Sequence, residues 1–320
     1  MNIKLIEFDN LETLLPETLS EKFVVYENCQ DPVSNWIANN RILFEHYVLY
    51  LIKPLLQSSF LLVDIGSNIG SYSYFYKNFA NPKGHMICID ANSINLELLK
   101  INCKSSNDSN YLNKFWLSDN SEKSTFSQQD LPIKSYFKHS LSLQESSGQA
   151  IDAISNSELV SLIKEKFVQI NPQSKAAMHY FIKIDVDGNE KHSAQELFQK
   201  LKSIDVNFFA LVEVNDPSTY VEICQCGMIP KALLPGNNFL FASSNLHTNS
   251  DCFANDTYAL IAAYSNRLLD VTALENQSLI IDKREIYLKT RFGTNIAKCR
   301  VMSKYWWDTL KNEPILAVTY

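Results

Sequence analysis

Short apolar runs alternate with amphipathic stretches through the middle of this chain. Phe60-Leu61-Leu62-Val63 is an apolar run closed by Asp64, the pattern of a strand buried on both faces. The spacing then predicts a helix from about Ser71 to Ala80 and a turn at Asn81-Pro82-Lys83-Gly84. A second apolar run, His85-Met86-Ile87-Cys88-Ile89, ends in Asp90. Apolar positions at Ile94, Leu98 and Ile101 predict a helix over 93–104, and a third strand is expected at about 111–117. The fourth strand is Tyr180-Phe181-Ile182-Lys183-Ile184-Asp185, followed by a helix beginning near Gly188. The fifth is Phe208-Phe209-Ala210-Leu211-Val212-Glu213, followed by a helix over about 217–226. Strand and helix in alternation predict an α/β, doubly wound, mostly parallel sheet. A late hairpin is expected from Asn238–Ala242 and Tyr258–Tyr264.

The flanks read differently. Residues 1–57 are expected to form a helical N-terminal cap, with Phe44–Leu56 packing beside the first strand. That window carries Glu45, His46, Lys53 and Pro54, and is too short and too broken to span a bilayer. Residues 58–265 form the predicted main domain. Within it, about 120–178 is rich in Ser, Gln and Asn and reads as an insertion or lid, with a helix near 156–170. Residues 266–320 read as a helical extension.

Composition narrows the classes. With 320 residues, 46% hydrophobic and 20% charged, the chain can bury a large core. A net charge of −6 argues against a general nucleic-acid binder. Seven cysteines include no C-x-x-C pair, which suits reduced thiols and a cytoplasmic setting. Cys224-x-Cys226 reads as packing. The opening Met1-Asn2-Ile3-Lys4 leads into acidic residues, without the apolar core of a signal peptide. The six histidines show no H-x-H or H-x-x-x-H spacing, so no metal site is expected. His139, inside the extra segment, is a candidate base with polar surface as its plain alternative.

The candidate chemistry begins at Asp64-Ile65-Gly66-Ser67-Asn68-Ile69-Gly70. Two glycines after a buried strand permit a tight turn and close approach of backbone to a ligand. The next helix opens with amides that lack intrahelical partners. Asp90, twenty residues after Gly70, is placed to accept hydrogen bonds from ribose hydroxyls. The glycines are spaced Gly66-x-x-x-Gly70 rather than G-x-G-x-x-G, which suits a pyrophosphate poorly. A nucleoside ligand with an amine and a carboxylate fits better, which describes S-adenosylmethionine.

Further motifs carry a family resemblance. Val63-Asp64-Ile65-Gly66-Ser67-Asn68-Ile69-Gly70, then Ile89-Asp90-Ala91-Asn92, then Leu117-Ser118-Asp119, then Ile182-Lys183-Ile184-Asp185-Val186-Asp187-Gly188-Asn189-Glu190, then Val212-Glu213-Val214 occur in that order. The set resembles the signature of FkbM-type methyltransferases, over about 60–245. Asp90-Ala91 stands where that family more often has Glu-Pro, and Asp187 where it usually has Glu. The resemblance implies a class I methyltransferase fold, Rossmann-like, with a seven-stranded sheet. It implies S-adenosylmethionine-dependent methyl transfer, commonly to the oxygen of sugars or other small metabolites.

The expected cofactor site is Asp64, Gly66, Ser67, Asn68 and Gly70 for the methionine end and Asp90 for the ribose. Ala91, Asn92, Ser118 and Asp119 are placed toward the adenine. The expected catalytic residues are Asp185, Lys183, Asp187 and Glu213. A helix capping box from Asp187 to Glu190 is the plain alternative for that pair, and a charge partner for Lys183 is the plain alternative for Glu213. The expected partner is a small-molecule hydroxyl acceptor. An RNA 2′-O-methyltransferase or a non-catalytic nucleoside-binding module are the alternatives. Lys283, Arg284, Lys289, Arg291, Lys298, Arg300 and Lys304, followed by Tyr305-Trp306-Trp307, are the only support for RNA.

Overall fold

The computed structural model describes residues 3–8, 22–27, 31–104, 108–119, 125–126, 151–169, 179–186, 190–214, 217–234, 238–243, 287–289, 296–298 and 316–317. Its strands are β1 (Ile3–Glu7), β2 (Lys22–Tyr26), β3 (Ser59–Ile65), β4 (His85–Asp90), β5 (Ser109–Asn113), β6 (Phe115–Leu117), β7 (Thr125–Phe126) and β8 (Ile151–Ser155). These are followed by β9 (His179–Ile184), β10 (Phe208–Glu213), β11 (Ile229–Leu234), β12 (Asn238–Ala242), β13 (Tyr287–Lys289), β14 (Ile296–Lys298) and β15 (Leu316–Ala317). The helices are α1 (Pro32–Asn40), α2 (His46–Ser58), α3 (Ser71–Phe75), α4 (Ser93–Asn102), α5 (Asn156–Gln169), α6 (Glu190–Ser203) and α7 (Pro217–Gln225). A single π turn, Tyr76–Ala80, continues α3.

The main sheet runs β15-β11-β12-β10-β9-β3-β4-β5. β5, β4, β3, β9 and β10 are parallel, while β12 is antiparallel to both β10 and β11. In order of the seven longer strands this is 3-2-1-4-5-7-6. The reversed seventh strand between five and six separates it from the dinucleotide order 3-2-1-4-5-6. The fold is the doubly wound, Rossmann-like class I methyltransferase arrangement.

Alternation along the strands divides the core into two layers. Leu61, Val63, Ile65, Ile182, Ile184, Ala210 and Val212 face a layer built with α5, α6 and α7. Leu62, Met86, Cys88, Phe181, Phe209 and Leu211 face the opposite layer, built with α2, α4 and the N-terminal strands. Asp64 and Lys183 fall in the second phase. They therefore point to the side on which the N-terminal segment packs.

That segment is mixed rather than helical. β1 and β2 form an antiparallel pair, with α1 and α2 following. Asn102 docks it on the body: its side chain accepts from the amide of Val24 at 2.7 Å and donates to the carbonyls of Val24 and Ile69. The expected third strand is two strands. β5 lies in the main sheet, and β6 joins β8 and β7 in a small side sheet.

The stretch expected as an insertion supplies β8 and α5. Leu159, Val160 and Ile163 of α5 belong to the core, so α5 is the crossover helix between β5 and β9. β12 pairs with β10 and β11, and the expected second hairpin strand, 258–264, lies outside the described residues. In the 266–320 extension the described pieces are β13, β14 and β15 rather than helix.

Candidate active site

The switch point of the sheet lies between β3 and β9. Connections leave these neighbours in opposite directions, which opens a crevice beyond their carboxyl ends. Asp64 and Lys183 are register partners across this pair. The Lys183 ammonium lies 3.8 Å from Asp64 Oδ1 and 3.1 Å from Asp185 Oδ2, and donates to the Gly66 carbonyl at 3.0 Å. Burial alone would lower its pKa, but Asp185 and Asp64 outweigh burial and raise it. Asp185 itself titrates below the usual range. Burial opposes this, and Lys183 together with a hydrogen bond to the Glu213 side chain overcomes it. The Asp185 side chain is 38% exposed and that of Asp64 only 1%. Asp185 is therefore the carboxylate that solvent or an acceptor can reach.

Asp64 is pushed up by burial, against Lys183 and Ser73. Its Oδ2 accepts from Ser73 Oγ at 2.6 Å, while its buried Oδ1 accepts no hydrogen bond. Ser71 Oγ, at the start of α3, is likewise buried without a partner. Buried polar atoms of this kind call for a ligand or water.

Three residues that the sequence reading missed complete the cluster. Tyr72 places its ring 5.1 Å from the Lys183 ammonium and donates its hydroxyl to Glu45 Oε2 at 2.7 Å. Asn238, the first residue of β12, donates to Glu45 Oε1 at 2.8 Å. Glu45 is raised by burial first and by Asp185 next. The signal for Glu45 was an acid inside the most apolar window of the chain. Tyr72 lies two residues beyond Gly70.

The glycine loop is shaped by the protein itself. Gly66 has φ +75, and a Cβ there would meet the Asp185 carbonyl oxygen at 1.8 Å. Its close approach is thus to the β9 edge. Gly66 and Ser67 donate their amides to the Ile89 carbonyl, and Gly70 donates to Ser67. The Asn68 amide donates to Asp90 Oδ2 at 2.8 Å, and Ile69 donates to the Asn68 side chain. The loop amides are therefore engaged within the chain.

Asp90 accepts further from the Asn92 amide at 2.8 Å and from Asn95 Nδ2 at 3.3 Å. An ionised carboxylate offers about four acceptor sites, so one remains for a ribose hydroxyl. Burial raises Asp90 to about 6, against the donors from Asn92, Asn68 and Asn95. Asn92 caps α4 by accepting from the Ile94 amide, and the Ala91 carbonyl accepts from Asn113. Both line the end of β4 beside Asp90.

Asp119 is committed elsewhere. It accepts from the Ser157 amide at 2.8 Å and the Ser157 hydroxyl, and pairs with Lys200 at 2.8 Å. Burial would raise it, but the hydrogen bonds from Lys200 and Ser157 hold it at about 2. It caps the first turn of α5 and ties it to α6. Ser118 is half-buried next to it. Asp187, Gly188 and His139 lie outside the described residues, as do most of the basic tail positions. Glu190 opens α6. Neither Cys224 nor Cys226 is in a disulfide, and Cys226 Sγ donates to the Ile223 carbonyl. Among the described residues no His, Cys, Asp and Glu group has a metal-holding arrangement, and no helix is long and apolar enough to cross a membrane.

No protein-family model matches this chain, and no curated protein sequence does. Solved structures resemble it distantly, two methyltransferases among them. The precorrin-6y C5,15-methyltransferase from Geobacter metallireducens GS-15 is 14% identical, with 59% of this chain and 74% of that one covered and a TM-score of 0.33. The plantazolicin methyltransferase BpumL in complex with SAH is 11% identical, with 61% of this chain and 63% of that one covered and a TM-score of 0.25. The fold assignment rests on the strand order itself.

Proposed function

We propose that this chain is an S-adenosylmethionine-dependent methyltransferase of the FkbM type, acting on a hydroxyl oxygen of a sugar, glycolipid or other small metabolite. The observation that carries this reading is the acidic cluster at the switch point. Asp64, Asp185 and Glu45 gather around Lys183, and Glu213 is hydrogen-bonded to Asp185. Excess carboxylate at a switch-point crevice suits a ligand bearing ammonium and sulfonium groups and disfavours a pyrophosphate. The FkbM-like order of motifs supports the same reading.

The cofactor, when bound, supplies an electrophilic methyl group. Asp64 Oδ1 and Ser71 Oγ, both buried without a hydrogen-bond partner, would hold its methionine end, and the remaining acceptor site of Asp90 its ribose. Lys183 keeps Asp185 ionised and oriented. Asp185 then accepts the proton of an acceptor hydroxyl, while Glu213, hydrogen-bonded to it, fixes its position. Positioning of this kind removes a large part of the barrier to a bimolecular transfer.

Isothermal titration with S-adenosylmethionine, S-adenosylhomocysteine and NAD tests the reading. The first two are expected to bind and NAD not to. Binding of NAD alone would overturn it.

A further inference from the structure

The N-terminal segment contributes one charged group to the carboxyl edge of the sheet, and it comes from outside the doubly wound unit. Glu45 precedes α2 with φ 53 and ψ 30, in the left-handed region that a side-chain-bearing residue rarely adopts. Strained backbone of this type persists where surrounding contacts over-determine it. Those contacts are two buried hydrogen bonds. Glu45 joins Tyr72 of α3 to Asn238 of β12, across 193 positions of sequence to the latter, through both carboxyl oxygens. Tyr72 in turn lies over the Lys183 ammonium.

We infer that Glu45 is a positioning residue for the switch-point cluster: it holds the Tyr72 ring against Lys183 and so sets the Lys183–Asp185 pair. As a residue of methyl transfer it rests on the function proposed above; as the organiser of the cluster it does not. The charged and titratable groups that face it are Tyr72 from α3 and Lys183 and Asp185 from the β9 edge; Asp64 of β3 faces Tyr72, and Glu213 lies behind Asp185. Glu45 and Asp185 repel, and Glu45 and Lys183 attract. The N-terminal segment thereby shares in the electrostatics of the site as well as in the packing.

Two substitutions separate these roles. Glu45→Gln keeps a hydrogen-bonding side chain without the charge. Glu45→Gly removes the side chain while suiting the left-handed backbone, so a folded variant is available even if the first fails. In the ligand-free protein, carboxyl-carbon NMR should show Asp185 titrating at higher pH in either variant, because the Tyr72 ring is no longer held over Lys183 and the Lys183–Asp185 pair loosens. A folded variant with an unchanged Asp185 titration overturns the proposal. With S-adenosylhomocysteine as probe, affinity should fall by about tenfold, the scale of one hydrogen bond to a charged group. Tyr72→Phe should give a similar loss, and the double variant Glu45→Gln/Tyr72→Phe little more, since coupled residues are not additive. Fully additive losses overturn the route through Tyr72. A merely structural Glu45 would lower the melting temperature and leave affinity unchanged. Failure of the wild-type protein to bind the probe counts against the methyltransferase reading, while the Asp185 titration still decides the role of Glu45.

Discussion

Asp64 and Lys183 are register partners on adjacent parallel strands, and both are almost wholly buried, at 1% and 4% side-chain exposure. Lys183 is thus the counter-ion that allows an aspartate to end a buried strand. Removing one partner of such a pair leaves an uncompensated charge. Lys183→Met is expected to destabilise the fold by about 3–5 kcal/mol. Asp64→Leu in the Lys183→Met background should recover part of that loss, as paired apolar replacement does. Urea unfolding of both variants checks this, and a double variant no more stable than the single would contradict it.

Gly66→Ala should be among the most damaging single changes. The left-handed backbone costs a Cβ about 1–2 kcal/mol, and displacing the Asp185 carbonyl adds an overpacking cost of about 1–3 kcal/mol. Because the obstacle is backbone of the β9 edge, the variant should also move Asp185. Unfolding free energy and S-adenosylhomocysteine affinity should both fall. A variant as stable as wild type would show that the loop relaxes.

The strands were legible because parallel strands sheathed on both faces are apolar runs ending at a charged residue. Asp64, Asp90, Asp185 and Glu213 were found for that reason, and Lys183 through the motif from Ile182 to Glu190. The N-terminal pair was not. Ile3-Lys4-Leu5-Ile6 and Phe23-Val24-Val25-Tyr26 are short, and their anchor, Asn102, lies 78 residues beyond Val24. The break between β5 and β6 follows from Asn113, whose amide turns to the carbonyls of Asp90 and Ala91. No spacing along the chain announces such a contact. Asp119 escaped for the same reason: Ser157 lies 38 positions away, and only the folded chain shows that the acid caps a helix. Glu45 was visible as an acid in an apolar window, but its partners come from α3 and β12.

Asp119→Ala is therefore expected to cost about 0.5–2 kcal/mol of stability, the scale for losing a helix cap, and to leave S-adenosylhomocysteine affinity unchanged. The folded pKa lies below the unfolded value, so the stabilisation is present above about pH 4 and is lost as pH falls toward 2. Calorimetry across acid pH reads the first effect. A clear loss of affinity would return Asp119 to the adenine site.

Asp90 should make stability pH-dependent in the opposite sense, and cofactor binding pH-dependent as well. Its folded pKa of about 6 lies above the unfolded carboxyl value. The native state then binds the extra proton between about pH 4 and 6, and stability falls as pH rises through that window. A ribose hydroxyl donates to the ionised form, so binding should strengthen as pH rises. From pH 5 to 7 the gain should be about tenfold, because one unit below its pKa only about a tenth of the carboxyl is ionised. Titrating S-adenosylhomocysteine into wild type and Asp90→Asn checks this. The rise should vanish in the variant, and a rise that survives belongs to another group.

On the function proposed above, methyl transfer turns on Asp185. It is the exposed member of the Lys183 pair, is held ionised by that lysine, and is braced by Glu213 at the end of the neighbouring strand. Asp185→Asn preserves its volume and one acceptor oxygen, so the fold and most of the cofactor affinity should remain. Methyl transfer should fall by about 10²–10⁴-fold, the usual contribution of a positioned acid or base. Asp187→Asn should cost far less if residue 187 serves as a helix cap, because Asn caps nearly as well as Asp. Single-turnover methyl transfer with a competent acceptor, run beside cofactor affinity for both variants, decides the ranking. An active Asp185→Asn beside an inactive Asp187→Asn would move proton acceptance to Asp187. Asp185 would then remain only as the counter-ion that keeps Lys183 in place.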